Sequence, residues 1–231
     1  MMDKERIKAL QAFSKKIGIH VKDLDLLNQA FCHRSSTNEN HCKNNERLEF
    51  LGDSVLGVVC ASYIYRTLPD MLEGDLAKIK SVVVSEKALA PVALELGIDK
   101  LLVLGHGEEM SGGRKKDAIL ADCMEAVIAA VYIDQGYKAA EKYILSFLIK
   151  AINEVLSKGL KDYKTLLQEY LQKKDKICPT YEVIGTSGPE HEKVFEVVVI
   201  LGEKKIGPAK EKNKKEAEQN AAKLALETLP N

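Results

Sequence analysis

Tryptophan is absent from this sequence, and cysteine, proline and long apolar runs are scarce. The five cysteines (Cys32, Cys42, Cys60, Cys123 and Cys178) are odd in number and show no CxxC spacing, so we expect reduced thiols. No stretch is expected to be long and apolar enough to span a bilayer, and the N-terminus lacks the apolar centre of a signal peptide. These absences predict a cytoplasmic protein without a membrane partner.

An excess of basic residues, which is common in nucleic-acid-binding proteins, is also missing. Lysine plus arginine and aspartate plus glutamate each number 34. The segment from Asp162 onward is balanced as well, with 12 lysines and 12 acidic residues. Any affinity for nucleic acid must therefore depend on where the charges lie. The apolar fraction of 45% is high enough for a buried core and argues against a disordered chain.

Residues 1–156 contain few glycines and prolines, and their apolar residues recur at spacings of three and four. This pattern predicts a nearly all-helical domain. Breaks between helices are expected at Leu68–Asp70, at Gly97 and across Gly105–Gly113. The polar, glycine-rich stretch GHGEEMSGGRKK is typical of a loop before the next helix.

After a short linker at residues 157–161, the pattern of residues 162–231 predicts a small α+β domain. Asp162 is expected to cap its first helix, and runs of β-branched residues indicate three strands. The predicted elements are a helix at Tyr163–Lys173, strands at Thr180–Gly185, Val194–Leu201 and about Lys204–Pro208, and a helix at about Lys214–Thr228 with Ala217, Ala221, Leu224 and Leu226 as its apolar positions. The expected fold class is an all-α N-terminal domain followed by an α-β-β-β-α domain.

Five acidic residues of the first domain fall on two helix faces. Glu46, Glu49 and Asp53 lie at offsets of zero, three and seven, and Asp122 and Glu125 are three residues apart. Apolar residues surround both sets. Because an ionised carboxylate is costly to bury unless it is paired or binds a metal, the pattern suggests oxygen ligands of a hard cation. On spacing alone, a solvated acidic face is an equally good interpretation.

Two other candidate sites have weaker signals. The pairs Cys32-His33 and His41-Cys42 lack the separations that are usual between zinc ligands. The glycines from Gly105 to Gly113 follow no predicted strand and match no GxxxxGK[ST] pattern. We therefore expect a connecting loop there and no nucleotide cofactor.

The segment NERLEFLGDSVLG resembles the family-defining helix of ribonuclease III, and AFCHRSSTNE resembles the segment that precedes it. The stretch LGHGEEMSGGRKKDAILADCMEAVIAAVYID is similar to the second catalytic segment of that family. The likeness runs in order from about residue 5 to residue 150. Departures include Ser54 and Asp117, where alanine and serine are usual.

This resemblance implies a set of site residues. The resemblance implies that magnesium is the cofactor, with manganese able to substitute. It also implies that Asp53 and Glu125 are catalytic. Glu46 and Glu73 match two further acidic positions of the family, whose implied role is accessory. The implied metal ligands are Glu49, Asp53, Asp122 and Glu125.

The implied activity is hydrolysis of double-stranded RNA to 5′-phosphate and 3′-hydroxyl ends with short 3′ overhangs. Two divalent ions can activate a water and stabilise the leaving oxygen. A staggered cut needs two active sites, which a symmetric homodimer provides. Phe50 is then either an interface residue or an ordinary core aromatic. The expected substrates are ribosomal RNA precursors and other structured transcripts.

The alternative function is that of a non-catalytic protein that binds double-stranded RNA and uses its nuclease fold as a dimer scaffold. Loss of any of the four central carboxylates would favour that alternative. All four are present in this sequence.

The C-terminal segment resembles a double-stranded-RNA-binding domain, with DYKTLLQEYLQ at its start and KEAEQNAAKLALETL at its end. The resemblance places Gln168 and Glu169 at one minor groove of RNA and His191 at the next. Taken alone, the run KEKNKK is more often a solvated charge run. Pro208–Glu211 departs from the family, which often has glycines there, and Glu211 would lie near the phosphate contacts. The residues implied to contact phosphates are Lys212, Lys214 and Lys215.

Overall fold

The computed structural model describes residues 2–40, 43–158, 163–174, 177–189 and 193–229. The chain forms two compact units, Met1–Leu160 and Lys161–Asn231. The first unit is helical, and the second combines two helices with one antiparallel sheet. The fold class expected from the sequence is therefore confirmed.

The first unit is built around one buried helix. Its helices are α1 (Lys4–Lys16), α2 (Leu24–Ala30), α3 (Thr37–Asn40), α4 (Glu46–Thr67), α5 (Glu73–Val83), α6 (Glu86–Leu96), α7 (Ile98–Leu101), α8 (His106–Met110), α9 (Asp117–Gln135) and α10 (Tyr137–Lys158). Helix α9 packs against α4, α6, α10 and α2, and most of its side chains are buried. The predicted apolar face of α9, which includes Cys123 and Val127, lies in this core.

Several boundaries differ from the sequence expectations. The stretch expected to be a loop contains α8 and a short 3-10 helix at Gly113–Lys115. Ser157 and Lys158, which were assigned to the linker, are the last residues of α10. In both places polar residues outnumber apolar ones, so the helical period is too weak to see in the sequence.

Helix α4 corrects another expectation. Its 22 residues have the length and composition of a membrane-spanning helix, which we did not expect of any segment. One face of α4 is buried against α9, with Leu48, Leu56 and Cys60 in the core of the first unit. This packing accounts for much of the apolar content of the helix.

The second unit contains α11 (Tyr163–Lys174), β1 (Thr180–Ser187), β2 (Val194–Leu201), β3 (Lys204–Glu211) and α12 (Lys214–Thr228). The strands form an antiparallel sheet in the order β1-β2-β3. One face of β2, with Val197, Val199 and Leu201, contributes to a core shared with both helices. Strand β3 continues past Pro208, where the prediction ended. The predicted cap of the first helix, Asp162, lies outside the described residues.

The buried face of α12 is only partly as predicted. Ala217 and Ala221 are buried, but Leu224 is exposed. Ala222 and Ala225 are buried instead. The small alanine side chains let the helix pack closely on the sheet, so the larger leucine faces solvent.

Candidate active site

Three carboxylates from two helices meet in the first unit. Glu49 projects from α4, and Asp122 and Glu125 project from α9. One carboxylate oxygen of each lies within 4.8 Å of the other two, and all three side chains are half-buried. The two helix faces that the spacing identified therefore face each other at this point.

A close contact between α4 and α9 brings these carboxylates together. At Gly52 a β-carbon would lie only 1.8 Å from the carbonyl oxygen of Glu125. Glycine is therefore the residue that lets the two helices approach this closely, although glycine costs about 1 kcal/mol relative to alanine inside a helix. Gly52 lies one turn from Glu49 and next to Asp53, so it sets the distance between the two halves of the cluster.

Crowding and burial shift the acidities of the three carboxyl groups. Burial, together with the nearby charges of Asp53 and Asp122, raises the pKa of Glu125 to about 8. The pKa of Glu49 is raised by burial and by Asp122, and that of Asp122 by burial and by Glu86. Carboxyl groups this close repel each other when ionised, and a bound cation relieves that repulsion.

The donor set fits a hard divalent cation. All three candidate ligands supply carboxylate oxygen, which is the donor that magnesium and manganese prefer. The other candidate metal site is not supported, because Cys32 and His33 belong to no cluster of potential ligands among the described residues. His41 and Cys42 lie outside those residues.

The remaining predicted acidic residues, Asp53, Glu46 and Glu73, are outside this group of three. Asp53 is exposed and is not one of the three grouped ligands, although its charge acts on Glu125. Glu46 lines a cleft together with Glu49 and Asp122, and forms an ion pair with Arg34. Glu73 lines a separate groove between α4 and α5 that shares no residue with this cleft.

Two residues near the site were missed by the sequence analysis. Glu86 begins α6, and its charge raises the pKa of both Asp122 and Glu125. No spacing rule connects it with α9, because only the packing of α6 on α9 brings it near. Gly52 did leave a signal, which was a glycine inside a helix between two candidate ligands.

In the second unit, the implied RNA-contact residues occupy exposed positions on two elements. Gln168 and Glu169 are exposed on α11. The phosphate-contact lysines, Lys212, Lys214 and Lys215, are exposed around the start of α12. His191 lies outside the described residues.

The N-terminus of α12 and the strand before it are held by side-chain hydrogen bonds. The Asn213 side chain caps the helix by accepting a hydrogen bond from the backbone amide of Lys215. The carboxylate of Glu211 accepts a hydrogen bond of 2.7 Å from Asn220. Glu211 lies in the segment that departs from the family pattern, and one of its carboxylate oxygens is engaged by this bond.

Both units match family models. A model described as ribonuclease-III-like matches residues 23–152, and a model described as a double-stranded RNA binding motif matches residues 163–229. Ribonuclease 3 of Treponema denticola is 54% identical over 231 residues, covering 99% of this chain and 94% of its own. Ribonuclease 3 of Borreliella burgdorferi is 44% identical over 230 residues, covering 98% and 94%.

A solved structure is also similar to the first unit. The nuclease domain of ribonuclease III from Campylobacter jejuni is 34% identical and superposes with a TM-score of 0.58. The match covers 62% of this chain and 97% of that domain.

Proposed function

Because this chain belongs to the ribonuclease III family of double-stranded-RNA endoribonucleases, we propose that it hydrolyses RNA duplexes by a magnesium-dependent mechanism. The products are 5′-phosphate and 3′-hydroxyl ends with short 3′ overhangs. The observation that supports this proposal best is the meeting of Glu49, Asp122 and Glu125, whose oxygens lie within 4.8 Å of one another.

Each carboxylate of the cluster has a role in this proposal. Glu49, Asp122 and Glu125 hold the magnesium, and manganese can replace it. When bound, such ions lower the pKa of a water molecule and stabilise negative charge on the leaving oxygen. Asp53 and Glu125 are the catalytic residues, and the exposure of Asp53 leaves its carboxylate open to RNA and solvent. Glu46 is an accessory acidic residue of the same cleft.

The second unit binds the duplex in this proposal. Gln168 and Glu169 contact one minor groove and His191 the next, while the three lysines around the start of α12 contact phosphates between them. The exposure of the described residues of this set supports the assignment. So does the place of the lysines at the N-terminus of α12, where the helix dipole favours anions.

We also propose a homodimer formed through the first unit. Phe50, Val58 and Tyr65 are exposed and recur on one side of α4, with Phe50 78% and Tyr65 75% accessible. These residues are here called the α4 stripe. A row of exposed apolar side chains on one helix is typical of a surface that another protein covers. The related Campylobacter jejuni domain is described as having a region involved in dimer formation.

The exposure of Phe50 removes the interpretation of this residue as a core aromatic. Glu73 lies in the groove beside the α4 stripe, so we place it at the dimer interface rather than in the carboxylate cluster. Two subunits related by a two-fold axis would present one carboxylate cluster to each strand, which explains a staggered cut.

The cellular role that follows is processing of ribosomal RNA precursors and other structured transcripts in the cytoplasm. The alternative, a non-catalytic protein that binds double-stranded RNA and uses the nuclease fold as a dimer scaffold, gives no reason for three mutually repelling, half-buried carboxylates. Burial of such groups is costly unless a metal compensates for it.

The proposal is tested by incubating the full chain with long duplex RNA and magnesium, and by analysing the ends of the products. We expect cleavage that stops with excess chelator and resumes when magnesium is restored. Single-stranded RNA and duplex DNA should remain largely intact. Undiminished cleavage in the presence of the chelator would exclude the metal mechanism.

A further inference from the structure

A cleft of about 390 Å³ opens beside the carboxylate cluster and shares Glu49 and Asp122 with it. Acidic groups alone would repel the anionic backbone of RNA from this place. The cleft is also lined by three basic side chains, His33, Arg34 and Lys116. A phosphate can bind where one of these side chains has a positive charge that is not already paired within the protein.

Two of the three are already engaged. The ammonium of Lys116 lies 2.6 Å from the carboxylate of Glu108 and 3.1 Å from the hydroxyl of Ser111. The Nδ1 atom of His33 is 2.8 Å from the hydroxyl of Ser35, and burial lowers the pKa of His33, which favours the neutral ring. Neither side chain offers an unmatched positive charge.

Arg34 differs from both. Its Nη1 atom lies 3.6 Å from Glu46 Oε1, which is an ion pair beyond ordinary hydrogen-bond length, and its side chain is 71% exposed. Surface pairs of this kind contribute little and exchange readily with solvent. The guanidinium of Arg34 is therefore the cation of the cleft that is most available to a ligand.

The backbone that carries Arg34 is firmly held. The amide of His33 donates a hydrogen bond of 3.1 Å to the carbonyl of Val103. The hydroxyl of Ser35 accepts one of 2.9 Å from the amide of Gly105, and there is no room for a β-carbon at Gly105. The guanidinium of Arg34 can therefore change partners while the backbone that carries it stays fixed at the edge of the carboxylate cluster.

We propose that Arg34 binds a phosphate of the RNA strand adjacent to the phosphodiester that is cut, exchanging its resting contact with Glu46 for this phosphate. The inference rests on the proposed function and adds a contact that positions the substrate. A guanidinium suits the task because it can donate two parallel hydrogen bonds to phosphate oxygens. Its positive charge also acts on the carboxylates of Glu49 and Asp122, and this charge partly offsets their repulsion of RNA.

The test compares Arg34→Gln with Arg66→Gln in the full chain. Arg66 is a matched control, because it is also an exposed arginine with one carboxylate partner, Glu141 at 3.4 Å. It lies in the last turn of α4, about 30 Å along the helix from Glu46. We expect Arg34→Gln to raise KM for duplex RNA about tenfold and to flatten its salt dependence by about one counterion. Arg34→Lys should recover part of the loss, and Arg66→Gln should behave as wild type.

Magnesium affinity, measured by calorimetry without RNA, separates this contact from a structural role. Removing a cation beside carboxylates should leave magnesium binding unchanged or strengthen it. The inference is overturned if Arg34→Gln weakens magnesium binding, or if its KM and salt slope match those of Arg66→Gln. A wild-type protein that does not cut RNA would instead contradict the proposed function, so the two failures are distinguishable.

Discussion

Replacing Gly52 with alanine tests the link between helix packing and the active site. The added β-carbon would lie 1.8 Å from the Glu125 carbonyl oxygen, whereas real contacts of this kind are not closer than 3.0 Å. The backbones of α4 and α9 must therefore separate by roughly 1 Å, since neither atom belongs to a flexible side chain. Such a shift moves Glu49 away from Asp122 and Glu125.

Stability and activity should respond differently to this change. Overpacking costs about 1–3 kcal/mol, and alanine returns about 1 kcal/mol of helix propensity, so the net loss of stability is at most about 2 kcal/mol. In a domain of this size that lowers Tm by only about 4–8 °C. A misplacement of 1 Å in catalytic groups costs about a hundredfold in rate. We therefore expect Gly52→Ala to fold but to cut duplex RNA at least about a hundredfold more slowly.

A matched control lies on the same helix. A β-carbon at Gly57 would meet only the end of the Lys80 side chain, at 3.6 Å. Gly57→Ala should keep wild-type turnover and gain up to about 1 kcal/mol of stability. The assay is single-turnover cleavage with saturating magnesium, and circular dichroism checks the fold. Wild-type turnover in Gly52→Ala, or an equal loss in Gly57→Ala, would refute the reasoning.

Three further predictions concern protons, lysines and assembly. The pKa of Glu125 is about 8 in the folded, metal-free chain and lower in the unfolded chain, so the stability of the metal-free protein should fall as pH rises toward 8. Magnesium affinity should rise over the same range by up to about tenfold per pH unit, because the metal competes with the proton. Denaturant titration measures the stability and calorimetry measures the affinity, and values that do not change with pH would contradict the raised pKa. Lys214→Ala with Lys215→Ala should weaken RNA binding across sequences and flatten the salt slope by about two; an unchanged slope would mean a solvated charge run. Tyr65→Glu should dissociate the dimer in sedimentation experiments while Tyr137→Glu on α10 does not; a dimeric Tyr65→Glu protein would contradict the proposed interface.

Much of the candidate site was predictable because helix geometry relates spacing to direction. Spacing placed Glu49 on one helix face and Asp122 with Glu125 on another, and the structure brings the three together. Their assignment as metal ligands came from the resemblance to ribonuclease III, because spacing alone allowed a solvated acidic face equally well. The strand Val194–Leu201 and the helix Lys214–Thr228 were predicted with the observed bounds. In these segments, local pattern and tertiary packing favour the same structure.

The rest depended on packing between elements that are distant in sequence. The closeness of α4 to α9 at Gly52 and the position of Glu86 beside Asp122 cannot be read from periodicity, which gives direction but not separation. Phe50 was ambiguous because an apolar residue looks the same in sequence whether it lies in a core or on an exposed stripe. Leu224 was misplaced because neighbouring alanines, which are less apolar, pack more closely on the sheet.

The central claim is that the three grouped carboxylates form a magnesium-dependent catalytic centre for cutting double-stranded RNA. The most direct test is Glu125→Gln, which keeps the size of the side chain but removes its ionisable group. Asp117→Asn is the control, because Asp117 is exposed on the same helix and lies outside the group. Cleavage is measured in magnesium, and duplex RNA binding is measured in calcium, which should support binding with poor turnover. We predict that Glu125→Gln binds RNA as wild type does but does not cut it, while Asp117→Asn does both; near-normal turnover in Glu125→Gln would contradict the claim.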